Sequence, residues 1–247
     1  MSAPPRTATP LEKSDGETLT EAAYEALRRD IIRGVRTPGE RLRIGRLSDL
    51  YAVGPTPLRE ALQRLSAEGM VLAGGNRGFT VIALDMEEFR DLNIARTALE
   101  REALRLSLLR GDEEWEVGVI SAAYRMRKAD AALAGGDLDL DRWEAANEAF
   151  HRAMVAACGS KWLLRLRKTL HDQCERYRRA SVYLRRGSRD LGAEHGRIVE
   201  AVLARDVDAA ADLTEAHYAA TAENLAADFA LRSASTSAAG SDGADPA

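Results

Sequence analysis

The chain has 247 residues, 45% hydrophobic and 30% charged, with a formal net charge of −4. That length allows one large or two small domains with a sizeable buried core. The charge balance excludes a uniformly basic nucleic-acid coat but not a local basic face.

Residues 1–16 are rich in Pro, Thr, Ser and charge and are expected to be disordered. They hold no apolar run of the kind a secretory signal needs. No segment further on approaches the ~18 consecutive apolar residues of a membrane span. A cytoplasmic location without membrane partners is the expectation. Thr18 and Glu21 have capping-box spacing and start a helix whose apolar positions are Ala23, Leu27, Ile31 and Ile32, with Gly34 as its stop. TPGERLR (Thr37 to Arg43) reads as a turn and a short extended piece. A second helix is predicted near Gly45 to Ala52, with Leu47, Leu50 and Tyr51 facing inward.

The next stretch, VGPTPLREALQRLSAEGMV (Val53 to Val71), carries two prolines two residues apart. Proline is excluded from a helix interior but tolerated in the first turn, whose N–H groups have no intrahelical partner. The segment therefore predicts a helix that starts sharply, exposes Thr56 and Arg59, and turns Leu58, Ala61, Leu62 and Leu65 inward until Gly69. MVLA and GFTVIA follow as two short strands joined by GGNRG, a hairpin signal. Three helices and a hairpin within residues 17–83 are the order of a winged helix-turn-helix. In that arrangement the prolines pre-set the start of a recognition helix. Residues 17–82 carry ten arginines against eight aspartates and glutamates, a mild basic excess.

Over 85–231 the pattern is helical, broken at Arg110-Gly111, Gly135-Gly136, Gly159, Gly187-Ser188 and Arg205-Asp206, which predicts a bundle of about six helices. Trp115, Val119 and Ala122 recur at core spacing. Cys158 and Cys174 are too few for a disulfide framework or a thiolate zinc site, and read as reduced packing residues. Residues 232–247 are small, polar and low in complexity, and are expected to form a disordered tail. The expected class is mainly α: a winged helix-turn-helix followed by an all-α bundle.

PGERLR, LSDLYAVGPTPLREALQRLSAEGMV and NRGFTV together resemble the winged-helix domain of the GntR family of bacterial transcription regulators. RTALEREAL, NEAFHRAMVAACGS and EHGRIVEAVLARDVDAAADLTEAHY resemble the effector domain of its FadR-like branch, of the FCD type. The resemblance implies a non-enzymatic, ligand-responsive regulator that grips a palindromic double-stranded operator as a homodimer, usually as a repressor. It implies DNA contacts at Thr56 and Arg59 and at Arg77 on the wing tip. An arginine at such a position suits a guanine edge, and a threonine with free N–H groups suits phosphate. One departure stands out: Gly54 and Pro55 replace the Ser-Arg pair that commonly precedes Thr-Pro.

Of the four histidines, His151, His195 and His217 match positions at which many members of this branch hold a metal ion, whereas His171 matches none. The family's fourth ligand, commonly aspartate, falls on Asn147, which brings no charge and should weaken binding. Three imidazoles and an oxygen suit a divalent ion such as zinc or nickel. The effector implied is a small organic acid, a carboxylate. Arg96 matches a position that addresses it; the alternative for Arg96 is an ion pair with Glu100 one turn on. A metal-responsive regulator, in which the ion is the signal, is a competing reading. A metal-dependent hydrolase is another, against which stands the lack of an HExxH, a nucleophile elbow or a phosphate loop.

Overall fold

A computed structural model describes residues 11, 13–74, 78–137, 139–181 and 189–241, with side chains as far as Leu231. It divides into two compact units, Met1–Asp85 and Met86–Ala247.

In the first unit, α1 (Leu19–Ile32) begins at a complete capping box. The Thr18 hydroxyl accepts from the Glu21 N–H at 3.1 Å, and the Glu21 carboxylate accepts from the Thr18 N–H at 2.9 Å. Strand β1 (Arg41–Leu42) precedes α2 (Ile44–Tyr51), and α3 (Pro55–Ala67) follows with Pro55 in its first turn. Strands β2 (Val71–Ala73) and β3 (Phe79–Val81) form the hairpin, and β1 adds to its other side in an antiparallel sheet of order β1-β3-β2. Leu27, Ile31, Leu47, Leu58, Leu62, Leu65 and Val81 meet in one core, against which Leu11 packs from within the segment expected to be disordered. One predicted core position is corrected: Leu50 is 44% exposed. Helix α2 is only eight residues long and stops at Ala52, which adopts φ 52°. Leu47 and Tyr51, one turn apart, fill its inner face, and the Tyr51 hydroxyl is tied to buried Asp30.

The second unit consists of α4 (Met86–Arg110), α5 (Glu113–Ala134), α6 (Leu140–Val155), α7 (Lys161–Ala180), α8 (Leu191–Leu203) and α9 (Val207–Ser241), with a 3₁₀ turn at Ala156–Cys158. Helix α4 packs on α7, α9 and α6; α5 packs on α6 and α8; and α8 packs on α9. Several breaks fall where a glycine or a left-handed residue follows a helix, as at Gly159 (φ 70°) and Arg205 (φ 58°), whereas α7 stops at Ser181 in an extended conformation. The break expected at Gly187-Ser188 lies outside the described residues. The C-terminal expectation differs from the structure: α9 runs on to Ser241, ten residues into the segment expected to be disordered. Its alanines favour helix. Among the described residues, no helix is long and apolar enough to cross a membrane.

Candidate functional site

Two places carry the chemistry, one in each unit. In the first, α3 buries Leu58, Ala61, Leu62 and Leu65 and so turns Thr56 and Arg59 to solvent. Gly54 occupies the N-cap position and supplies no side-chain cap, and because Pro55 and Pro57 have no N–H, Thr56 alone carries one among the first three residues of the helix. Arg64, one turn after Glu60, stacks 3.7 Å from the Tyr24 ring centroid and lies 3.6 Å from Glu68. That residue serves the fold. Arg77 lies outside the described residues.

In the second unit, His151 on α6, His195 on α8 and His217 on α9 converge, each offering a ring nitrogen within 4.8 Å of the others. All three are buried, at 0%, 3% and 7% exposure. Each Nδ1 has a partner from a neighbouring helix. His195 Nδ1 lies 2.7 Å from Asp130, whose other oxygen accepts from Trp143 Nε1 at 3.0 Å. His217 Nδ1 lies 2.9 Å from Glu194, which is paired with Arg189. His151 Nδ1 lies 3.1 Å from the Tyr218 hydroxyl. A carboxylate next to Nδ1 selects the tautomer with its proton there, so the lone pair is at Nε2. The Nε2 atoms of His151 and His195 are buried without a hydrogen-bond partner. Burial, with His217 and Arg96 adding to it, holds the His151 pKa well below the usual imidazole range. Burial likewise brings His217 down to about 3, against the upward pull of Glu194. Three buried imidazoles with ring nitrogens within 4.8 Å of one another, two of them offering an unpartnered Nε2, are a donor set that suits a divalent ion.

Asn147 is buried on α6, one turn before His151. Arg96, on α4, is 4% exposed; its guanidinium stacks 3.8 Å from the Tyr218 ring centroid, and its Nε has no partner. The ion pair with Glu100 does not form. Glu100 is instead held by Arg167 at 3.0 Å. Burial opposes the Arg96 charge, but Tyr218, Cys174 and Glu100 more than offset it, so the pKa stays raised.

The residues behind the histidines were missed by sequence reading, and the only signal for them was adjacency. Glu194 and Tyr218 stand next to His195 and His217 in the chain, yet each backs a histidine on a different helix. His171 also finds a carboxylate environment: its Nε2 lies 3.1 Å from Glu148 and 3.9 Å from Glu175, and Glu144 is near. Those carboxylates are already engaged, Glu144 by Arg178 at 2.7 and 3.0 Å and Glu175 by Arg179 at 2.6 Å. A cation there would have to displace arginines, so this second group reads as a buried ion network.

A winged helix-turn-helix followed by a helical bundle with a polar, histidine-lined interior defines a sensor joined to a DNA-binding module. Comparison with known proteins agrees. Residues 19–81 match the family described as bacterial regulatory proteins, gntR family, and residues 91–220 match the FCD domain. The chain is 38% identical over 211 residues to the HTH-type transcriptional regulator BphR of Paraburkholderia xenovorans, covering 85% of this chain and 86% of that protein. It is 38% identical over 200 residues to the HTH-type transcriptional repressor GlaR of Escherichia coli, covering 78% and 90%. A GntR regulator from Rhodococcus sp. RHA1 shares the fold with a TM-score of 0.69 at 22% identity, over 84% of this chain and 97% of that one. E. coli McbR/YncC does so with a TM-score of 0.67 at 19% identity, over 87% and 97%. The chain belongs to the GntR family of bacterial transcription regulators and carries an FCD effector domain.

Proposed function

We propose that the protein is a repressor that binds a palindromic operator as a homodimer and responds to a small carboxylate held in the FCD bundle. It acts by binding and not by catalysis. The observation that carries the sensing part is the trio of buried histidines whose ring nitrogens converge, two of them with an unpartnered Nε2, near a buried arginine that has no salt bridge among the described residues. His151, His195 and His217 would hold a divalent ion, zinc or nickel, with the Asn147 amide oxygen as a fourth donor. When bound, the ion supplies a positive centre to which an organic acid can bind. The chain's own part is to orient the imidazoles through Asp130, Glu194 and Tyr218, with burial keeping His151 and His217 neutral, and to offer Arg96 as a second cationic contact. The name of GlaR as a repressor supports repression here. Thr56 and Arg59 would contact the operator, with Arg77 joining them from the wing. A ligand alters DNA binding only if it favours one arrangement of the two domains over another, since equal affinity shifts nothing.

The test is to incubate the purified, metal-replete protein with sheared DNA from its own source and sequence the fragments retained. A few fragments sharing a palindrome are expected, and their release by an organic acid would complete the reading. No enrichment would reject it. If chelation alone released the fragments, the ion itself would be the signal.

A further inference from the structure

A guanidinium buried without a carboxylate is costly, because its charge leaves water and gains no counter-charge. The bundle keeps one such group. Arg96 is 4% exposed, its guanidinium stacks on Tyr218, and it has no salt bridge or hydrogen bond among the described residues. Two other buried arginines are treated differently. Arg178 donates to both oxygens of Glu144, at 3.0 and 2.7 Å, and Arg167 is paired with Glu100.

The Arg167 pairing bears directly on Arg96. Glu100 stands four residues after Arg96 on α4, the spacing at which opposite charges on one helix ordinarily meet. A bond between the two would neutralise both inside the bundle. Glu100 is instead turned towards α7, where Arg167 Nε lies 3.2 Å from one of its oxygens and 3.0 Å from the other. The two partners do not depend on each other equally. Arg167 has a second carboxylate in reach, Glu148 at 3.5 Å, whereas Glu100 without Arg167 would have Arg96 one turn back as its cation.

We propose that Arg167 is a positioning residue for the effector: by holding Glu100 against α7, it keeps Arg96 open to the carboxylate of the ligand. Without Arg167, Glu100 turns along α4 to neutralise Arg96 and competes with any acid for it. This rests on the reading of the bundle as a carboxylate sensor, and adds to it the residue that keeps its cation available.

The two members of the pair are then unequal in effect, and a mutant series tests that inequality. Calorimetric titration measures the affinity of the zinc-loaded, full-length protein for acetate, lactate and succinate, and chelator competition measures zinc affinity separately. R167Q should weaken the acid that the wild-type protein binds by about tenfold or more, because it leaves a buried carboxylate beside Arg96. E100Q should bind that acid as the wild type does, and E100Q/R167Q should recover it, since no carboxylate is then left to occupy Arg96. R167K, which keeps a cation for Glu100, should also match the wild type, and all four variants should hold zinc equally well. A pair that only supports the fold would make R167Q and E100Q equally harmful. That result, or undiminished acid binding by folded R167Q, overturns the inference while leaving the sensor reading intact. If R167Q does not fold, the double variant decides, because loss of acid binding there would show that Arg167 does not act through Glu100. A wild-type protein that binds none of the three acids overturns both the carboxylate-sensor reading and this role for Arg167.

Discussion

An imidazole kept neutral in a helical bundle makes stability depend on pH. His217 titrates at about 3 in the folded protein against an ordinary value of 6.5, and His151 lies well below that value too. Between those limits the unfolded chain binds more protons than the folded one, so stability falls as pH drops below about 6.5. Glu194, lowered to about 2 by its bonds to His217 and Arg189 against the opposing effect of burial, adds a loss in the same direction below its ordinary 4.5. The metal-free protein should therefore melt at steadily lower temperature from pH 7 to pH 4. A flat profile would mean that the histidines are not buried as described. Two substitutions probe single side chains. Asn147→Asp places a carboxylate one turn from His151 and should tighten metal binding in chelator competition; unchanged affinity would remove that side chain from the ligand set. Arg59→Ala should weaken binding to the retained operator fragments by about 1–3 kcal/mol if the guanidinium reads a base. An unaltered footprint titration would assign it to solvent.

At the scale of elements, the α4–α5 corner shows how tightly the helices are joined. A Cβ on Gly111 would lie 2.3 Å from the Trp115 ring and 2.8 Å from the Ser107 carbonyl oxygen. Arg205 secures the same corner, donating to the carbonyls of Leu108 at 2.7 Å and Gly111 at 2.9 Å while stacking on Trp115. Gly111→Ala should destabilise the bundle by about 1–3 kcal/mol through overpacking, read as a lower midpoint in urea. A wild-type midpoint would show that the corner can relax. Most helix boundaries were legible because glycine, proline and capping residues act locally. Leu50 was misplaced because periodicity marks a face but not how far an eight-residue helix extends it. The C-terminal segment was misread because low complexity suggested disorder, while its alanines carry α9 on to Ser241.

For the molecule as a whole, the separation of sensing from DNA binding is the property to test. Arg96 is buried in the bundle and Arg59 is exposed on the recognition helix. Arg96→Gln should leave operator affinity unchanged without effector but abolish the thermal shift given by whichever organic acid stabilises the wild-type protein. Retained stabilisation would assign Arg96 to packing against Tyr218.

The sequence by itself determined the order of elements, the two-part organisation and the family, because capping boxes, proline positions and apolar spacing are local signals written within a few residues. It also supplied the three histidines, through resemblance, as a candidate ligand set. Only the tertiary structure decided that their nitrogens converge, that Asp130, Glu194 and Tyr218 stand behind them, and that Glu100 belongs to Arg167 and not to Arg96. Those pairings join residues far apart in the chain. They follow from how helices pack, which no short stretch of sequence specifies.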